Sequence, residues 1–302
     1  MRLGIHMPLK DSSGEVLSAD GVMQRAKAIE DAGFEGIWIG DGIGAMARPD
    51  PLMWLLVAAA GAKSIEVGTC ILQVPLRNPV ELAQRFLTLH ALTKGRFTVG
   101  VGAGSGRRSF DAVGMGDDFD HRFRLLRDDL KLIRRLCSGE IVDGANLYPW
   151  ESTLDGPPIV IGAWHSERWM RRGAEEYEGW MCSGSFGHSK ATGYETTFDS
   201  LEAKLKQFRD MGGKRALISS VMIDLNQPNT HLADDEPFSL RCGPEAAAER
   251  LARLDETGYD DILLVKRDSS VRLSLYEDDV SREELDLIRG LLKRDRRSVA
   301  VR

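Results

Sequence analysis

Cysteine is scarce: the 302-residue chain has four, Cys70, Cys137, Cys182 and Cys242. None forms a CxxC pair, and none stands at metal-finger spacing from a histidine. A disulfide framework and a zinc-finger fold are therefore excluded, and free thiols in a reducing cytoplasm are expected. No apolar run approaches the roughly 20 residues that span a bilayer. Nothing resembles a secretory leader, because the N-terminus enters an apolar strand directly after Met1-Arg2. There is no HxH pair, no GxSxG elbow and no P-loop lysine motif, and the six histidines are scattered (His6, His90, His121, His165, His188, His231). A metal site or a serine triad thus has little support. A basic excess is also missing: 40 Lys and Arg face 46 Asp and Glu, for a net charge of −6. That argues against a nucleic-acid or anionic-membrane partner.

What is present is a strict alternation. Hydrophobic residues make up 42% of the chain, enough for a substantial core. Apolar strand-like runs are read at residues 3–7, 36–39, 65–72, 97–101, 159–161, 180–182, 216–223 and 262–265. Helical patterns are read at 19–32, 51–60, between the prolines at 79 and strand four, and at 122–136, 167–174, 198–211 and 244–254. A last helix is capped by Ser281, with Glu284 in capping-box position. Eight strands alternating with eight helices predict an α/β fold of the (β/α)8 TIM-barrel type, with a doubly wound open sheet as the runner-up. No linker or low-complexity segment divides it, so residues 1–302 are read as one domain. Two lid-like insertions at about 107–120 and 224–241 are its least regular parts.

In a barrel the ligand site is built at the C-terminal ends of the strands. His6 ends strand one, where an imidazole either meets a substrate or is satisfied by neighbouring backbone. Asp41 follows strand two in Gly40-Asp41-Gly42 and needs a partner, from the next turn or from a ligand. Cys70 and Ile71 close strand three, and periodicity alone makes them core residues. Strand four runs into alternating glycines, Gly102-Ala103-Gly104-Ser105-Gly106. Glycine admits close approach of a flat or phosphorylated ligand, although such a run also suits a flexible loop. Strand five ends before His165 and Ser166, the latter a natural helix N-cap beside exposed N–H groups. Strand six ends at Cys182-Ser183-Gly184-Ser185, a second small polar loop. Together these loops suit either a phosphate pocket or ordinary capping.

Several segments taken together resemble the luciferase-like monooxygenase family of flavin- and deazaflavin-dependent oxidoreductases. They are Val67-Gly-Thr-Cys-Ile-Leu, Leu76-Arg-Asn-Pro-Val, Lys94-Gly-Arg-Phe-Thr-Val-Gly-Val-Gly-Ala-Gly104, and Glu30-Asp-Ala-Gly-Phe-Glu-Gly-Ile-Trp-Ile-Gly-Asp41, with Gly179-Trp180 opening strand six. The resemblance covers nearly the whole chain. It implies a barrel holding reduced FMN or a deazaflavin (coenzyme F-420) across the strand ends, for hydride transfer to, or oxygenation of, a small organic substrate. It also implies a non-proline cis peptide at Cys70-Ile71 backing the ring, ring contact at Asp41, Gly102 and Gly104, and phosphate contact at Ser105, Ser166, Ser183 and Gly184. Gly42 stands where deazaflavin relatives frequently have a histidine, so His6 and His165 become the catalytic candidates. The same gap keeps a non-catalytic flavin-binding protein of this fold as the alternative. Thr-Cys-Ile and Leu-Arg-Asn-Pro incline the reading toward the deazaflavin, and the family makes a homodimer the expected assembly.

Overall fold

The computed structural model describes residues 1–11, 13–46, 48–183, 196–266 and 279–298, the last six of these by backbone alone. The strands are β1 (Arg2–His6), β2 (Gly36–Ile39), β3 (Glu66–Gln73), β4 (Phe97–Gly102), β5 (Ile159–Gly162), β6 (Gly179–Ser183), β7 (Arg215–Asp224), β8 (Leu240–Arg241) and β9 (Asp261–Lys266). β1 to β7 pair in sequence order, all in parallel, β7 pairs with β9, and β9 pairs with β1. Eight strands therefore close on themselves as a (β/α)8 barrel. β8 only extends the far end of β7.

The helices are α1 (Ala19–Asp31), α2 (Pro51–Gly61), α3 (Pro79–Leu92), α4 (Arg107–Ala112), α5 (Arg122–Cys137), α6 (Glu167–Glu175), α7 (Phe198–Asp210), α8 (Pro244–Thr257) and α9 (Arg282–Ser298). Their starts follow local chemistry. Asp50 and Asn78 accept from the first free amides of α2 and α3, and Pro51 and Pro79 take the first helical position, where no N–H is needed. Thr197 and Ser200 form a reciprocal capping box on α7.

Two expectations change. The strand read at residues 262–265 is the ninth in order, because the 224–241 insertion contributes β8. The 107–120 insertion is not irregular: it holds α4 and a 3-10 turn, Gly116–His121. Each is six residues long, too short for a hydrophobic period to emerge from the sequence. Phe119 ties them together, edge-on to Phe110 at 5.4 Å and under the Arg122 guanidinium at 4.1 Å.

The core splits in two because side chains alternate across each strand. Ile37, Ile39, Ile159, Ile161, Trp180, Cys182, Ile218, Ile262 and Leu264 face the helices in one large cluster. Trp38, Cys70, Val160, Met181, Leu217 and Leu263 form a separate cluster inside the barrel. Trp38 is the largest plug. A Cβ at Gly68 would lie 2.3 Å from its ring and one at Gly4 2.8 Å, so these glycines make room for the indole. Below this plug, the first residues of four strands meet. Arg215 bridges Glu66 and Asp261 at 2.8 Å each, and Arg2 reaches the same two carboxylates at 2.7 and 3.3 Å.

Candidate functional site

Above the plug, the C-terminal mouth is lined mostly by small side chains. β3 carries the site's central irregularity. Its register with β4 shifts between Thr69 and Leu72, and the Cys70-Ile71 peptide is cis. The bulge aims Cys70 inward, where its Sγ lies 3.3 Å from Nε2 of His6, and both side chains are buried. Ile71 is only partly buried, and its side chain lies across the ends of the next two strands. A Cβ at Gly102 would come within 2.3 Å of Ile71 Cδ1, and one at Gly162 within 2.7 Å of its Cγ2.

The glycines of strand four thus have an immediate partner that sequence reasoning did not supply. Gly102 gives its side-chain space to Ile71. Gly104 has φ +81°, and a Cβ there would meet Gln73 Oε1 at 2.6 Å. Ser105 beyond it is exposed. Bulges recur at the mouth: β7 shifts register against β9 between Ile218 and Val221, with Ser220 at φ 59° and buried Ser219 donating to the Cys182 carbonyl at 3.0 Å.

Asp41 is buried and fully engaged. Arg77 Nη1 and Nη2 donate to its two oxygens at 2.5 and 3.2 Å, the Gln73 amide at 3.0 Å and the Ile43 amide at 3.2 Å. The Asp41 amide in turn donates to the Ile71 carbonyl at 3.1 Å. Four donors on one carboxylate are a full complement, so its present role is to hold backbone. Arg77 lies in the Leu-Arg-Asn-Pro segment that attracted attention in the sequence, yet its pairing with Asp41 escaped notice. The available signal was a buried-strand carboxylate needing a partner and an arginine in a proline-bracketed loop at the adjacent strand end.

The remaining candidates spread around the rim. His165 is exposed at the start of α6; partial burial and the Lys204 charge hold its imidazole below the usual histidine range. Ser166 caps α6, accepting from the Trp169 amide at 3.3 Å. Ser183 ends β6 with its hydroxyl oxygen buried and, among the described residues, without a hydrogen-bond partner. Gly184 lies outside the described residues. His6, Cys70, Ile71, Gly102 and Ser183 share the barrel mouth, whereas Ser105 and His165 stand on its exposed rim and Asp41 is turned to Arg77. Arg48 also reaches the mouth from the loop after β2, donating to the Gly40 carbonyl at 3.3 Å. Its stem fills the space beside Gly42, where a Cβ would lie 2.8 Å from Arg48 Cδ.

Comparison with known proteins gives this geometry a context. The family model for luciferase-like monooxygenases matches residues 1–224. An F420-dependent glucose-6-phosphate dehydrogenase of Amycolatopsis mediterranei (strain U-32) is 31% identical over 140 residues, 44% of this chain and 42% of the relative. The 4-hydroxyprotoasukamycin monooxygenase of Streptomyces nodosus subsp. asukaensis is 33% identical over 137 residues, 44% of this chain and 35% of the relative. The chain therefore spans less than half the length of these curated relatives. Among solved structures, an F420-dependent secondary alcohol dehydrogenase bound to an F420-acetone adduct superposes with a TM-score of 0.71 at 14% identity, covering 97% of this chain and 98% of the other. The oxygenating constituent of 3,6-diketocamphane monooxygenase of Pseudomonas putida, in complex with FMN, gives 0.70 at 14% identity, covering 97% of each chain. At such identity the likeness is one of fold.

Proposed function

The chain belongs to the luciferase-like monooxygenase family, and from that premise we propose that it is an oxidoreductase. Its barrel mouth would hold a reduced flavin or deazaflavin against Ile71 and act on a small organic substrate. The observation that carries this reading is the platform itself. Ile71 is partly exposed, seated over Gly102 and Gly162, and bordered by buried His6 and Cys70. A flat ring needs such an apolar, nearly side-chain-free surface, and a buried imidazole beside it can hold or pass a proton.

The residues fit the group in a second way. The Ser183 hydroxyl is a buried polar atom lacking a partner, and such atoms in native structures call for an explanation. A hydroxyl or phosphate of the cofactor's side chain would satisfy it, with Ser105 and the amides capped by Ser166 on the adjoining loops as further partners. When bound, the ring supplies the reducing equivalents. The protein supplies position, exclusion of water and a proton at His6, with His165 as a second candidate at the rim. Between the two cofactors the reading leans to the deazaflavin, supported by the several F420-dependent dehydrogenases among the partial relatives. The segments 107–120 and 224–241 are proposed as lids that select the substrate.

Assembly as a homodimer is part of the proposal. α2 is apolar almost all round, yet leaves Met53 and Leu56 exposed, as suits a face covered by another copy. A cytoplasmic location is supported by four buried cysteines, none of them in a disulfide among the described residues. Among the described residues no helix is long and apolar enough to cross a membrane. The test is titration of the purified protein with FMN and with the deazaflavin, followed by fluorescence, then oxygen uptake and substrate reduction. Tight FMN binding with no deazaflavin binding would overturn the hydride-transfer reading. Binding of neither would overturn the whole proposal.

A further inference from the structure

The geometry points to Arg77 as a positioning residue: acting through Asp41, it fixes the Cys70-Ile71 bulge and so sets where the platform lies. This inference rests on the proposed function for its purpose, but its structural basis is independent. Where β3 loses register with β4, the ladder no longer locates residues 70 and 71. Beside the Cys70 contact with His6, hydrogen bonds through Asp41 and Arg77 take over from it. The Asp41 amide holds the Ile71 carbonyl at 3.1 Å, and the Asp41 carboxylate holds the Gln73 amide at 3.0 Å. Arg77 holds both Asp41 oxygens and also donates to the Gln73 carbonyl at 3.3 Å. The bulge is thus grasped on both sides, with Arg77 common to the second.

Arg77 is itself anchored. Its Nη2 also lies 3.7 Å from Asp50, the residue that caps α2. Its side chain is 9% exposed and that of Asp41 1%, so water does not compete for the pair. A bidentate guanidinium–carboxylate pair fixes angle as well as distance, which a lysine does not reproduce. Ile71 leaves this clamp directly over Gly102 and Gly162. A small rotation of the bulge would therefore lift the platform or drive Ile71 into the strand-four backbone. Asp41, expected from the sequence to touch the ring, acts on it at one remove.

The experiment compares Arg77→Met, Arg77→Lys, Asp41→Asn and the Asp41→Asn/Arg77→Met double variant in the full chain. In the ligand-free protein, hydrogen exchange at the Asp41 and Gln73 amides should accelerate at least tenfold in Arg77→Met, while the amides of β5 and β6 stay as in the wild type. Exchange at those two amides as slow as in the wild type overturns the inference, whatever the protein binds. Affinity for FMN or the deazaflavin should fall about tenfold to a hundredfold, the range seen when a group orienting a first ligand is removed. Arg77→Lys should fall between, and the double variant should be no weaker than the weaker single one. The visible absorption band of saturating cofactor should shift in Arg77→Met. A lowered unfolding midpoint with unchanged affinity and unchanged band would reduce Arg77 to a stability role and overturn the proposal. Loss of affinity in Asp41→Asn alone would return Asp41 to direct ring contact. Wild-type protein that binds neither cofactor would count against the proposed function, and the exchange measurement would still decide the role of Arg77.

Discussion

At the N-terminal end of the barrel, four strands begin with a charge, Arg2, Glu66, Arg215 and Asp261, and these charges close on one another across the interior. At the C-terminal end, the inward positions of the same strands and their neighbours are His6, Cys70, Gly102, Gly162, Ser183 and Ser219. The charged end satisfies itself: Arg215 spends its donors on two carboxylates, and the Thr98 hydroxyl donates to Glu66. The other end leaves a hydroxyl unsatisfied among the described residues and an isoleucine partly uncovered. One mouth pairs its polar groups with one another around a cavity of about 470 Å³, and the other leaves a buried hydroxyl without a partner among the described residues. The division matches the barrel rule that the bottom face serves stability and the top face chemistry.

The strongest way to break this contrast is at the charged end. Arg215→Met should destabilise the fold by about 3 kcal/mol, because Glu66 and Asp261 would stay buried with only the partly exposed Arg2 to pair them. A denaturant titration should show a lower midpoint at unchanged slope, with cofactor affinity retained at low temperature. If the variant is nearly as stable as the wild type, the ring is not what holds that end. Next comes the plug between the two ends. Gly68→Ala would place a methyl 2.3 Å from the Trp38 ring, where the indole has no room to retreat. Overpacking of this kind costs about 1–3 kcal/mol, readable by thermal unfolding.

The pH dependence sharpens the comparison further. Burial alone would raise the Glu66 carboxyl, but Arg215, Arg2 and Thr98 outweigh it and hold the group below its ordinary 4.5. A carboxylate with a depressed folded-state pKa adds stability that is fully present above its unfolded value and lost as pH falls through the folded one. The stability gap between the wild type and Glu66→Gln should therefore be largest above pH 4.5 and shrink in more acidic buffer. Asp261 runs the other way: burial prevails over Arg215 and raises it, so its own term weakens as pH rises through 3.8. A gap that widened in acid would show that Glu66 is held by burial and not by its arginines.

The barrel was legible because strand and helix periods alternate eight times, and helix ends such as Asp50-Pro51 and Asn78-Pro79 carry their own chemistry. The small residues of the open mouth were legible too, since glycines alternating at 100, 102, 104 and 106 break an apolar strand conspicuously. The charged mouth was not. Arg2, Glu66, Arg215 and Asp261 each look like a solvated charge in front of an apolar run, and only barrel closure brings such distant residues together. Asp41 was read as a carboxylate needing a partner, from the next turn or from a ligand. That the partner is Arg77, and that Gly102 makes room for Ile71, depend on the bulge in β3, whose register no one-dimensional pattern encodes.

The smallest expected effect separates the two ends most cleanly. Ser183 differs from every polar group in the charged ring, since its buried oxygen has no partner. Removing a satisfied buried group leaves its partner stranded, but removing an unsatisfied one leaves nothing behind. Ser183→Ala should therefore change stability by no more than about 0.5 kcal/mol, and in the favourable direction if in either. If the hydroxyl instead awaits the cofactor's side chain, the same variant should bind FMN or the deazaflavin with about 1 kcal/mol less free energy, roughly fivefold in affinity. Unfolding curves and fluorescence titrations on one preparation give both numbers. Lost stability with unchanged affinity would mean that this hydroxyl belongs with the self-satisfied end of the barrel, and that the open mouth is not completed at β6.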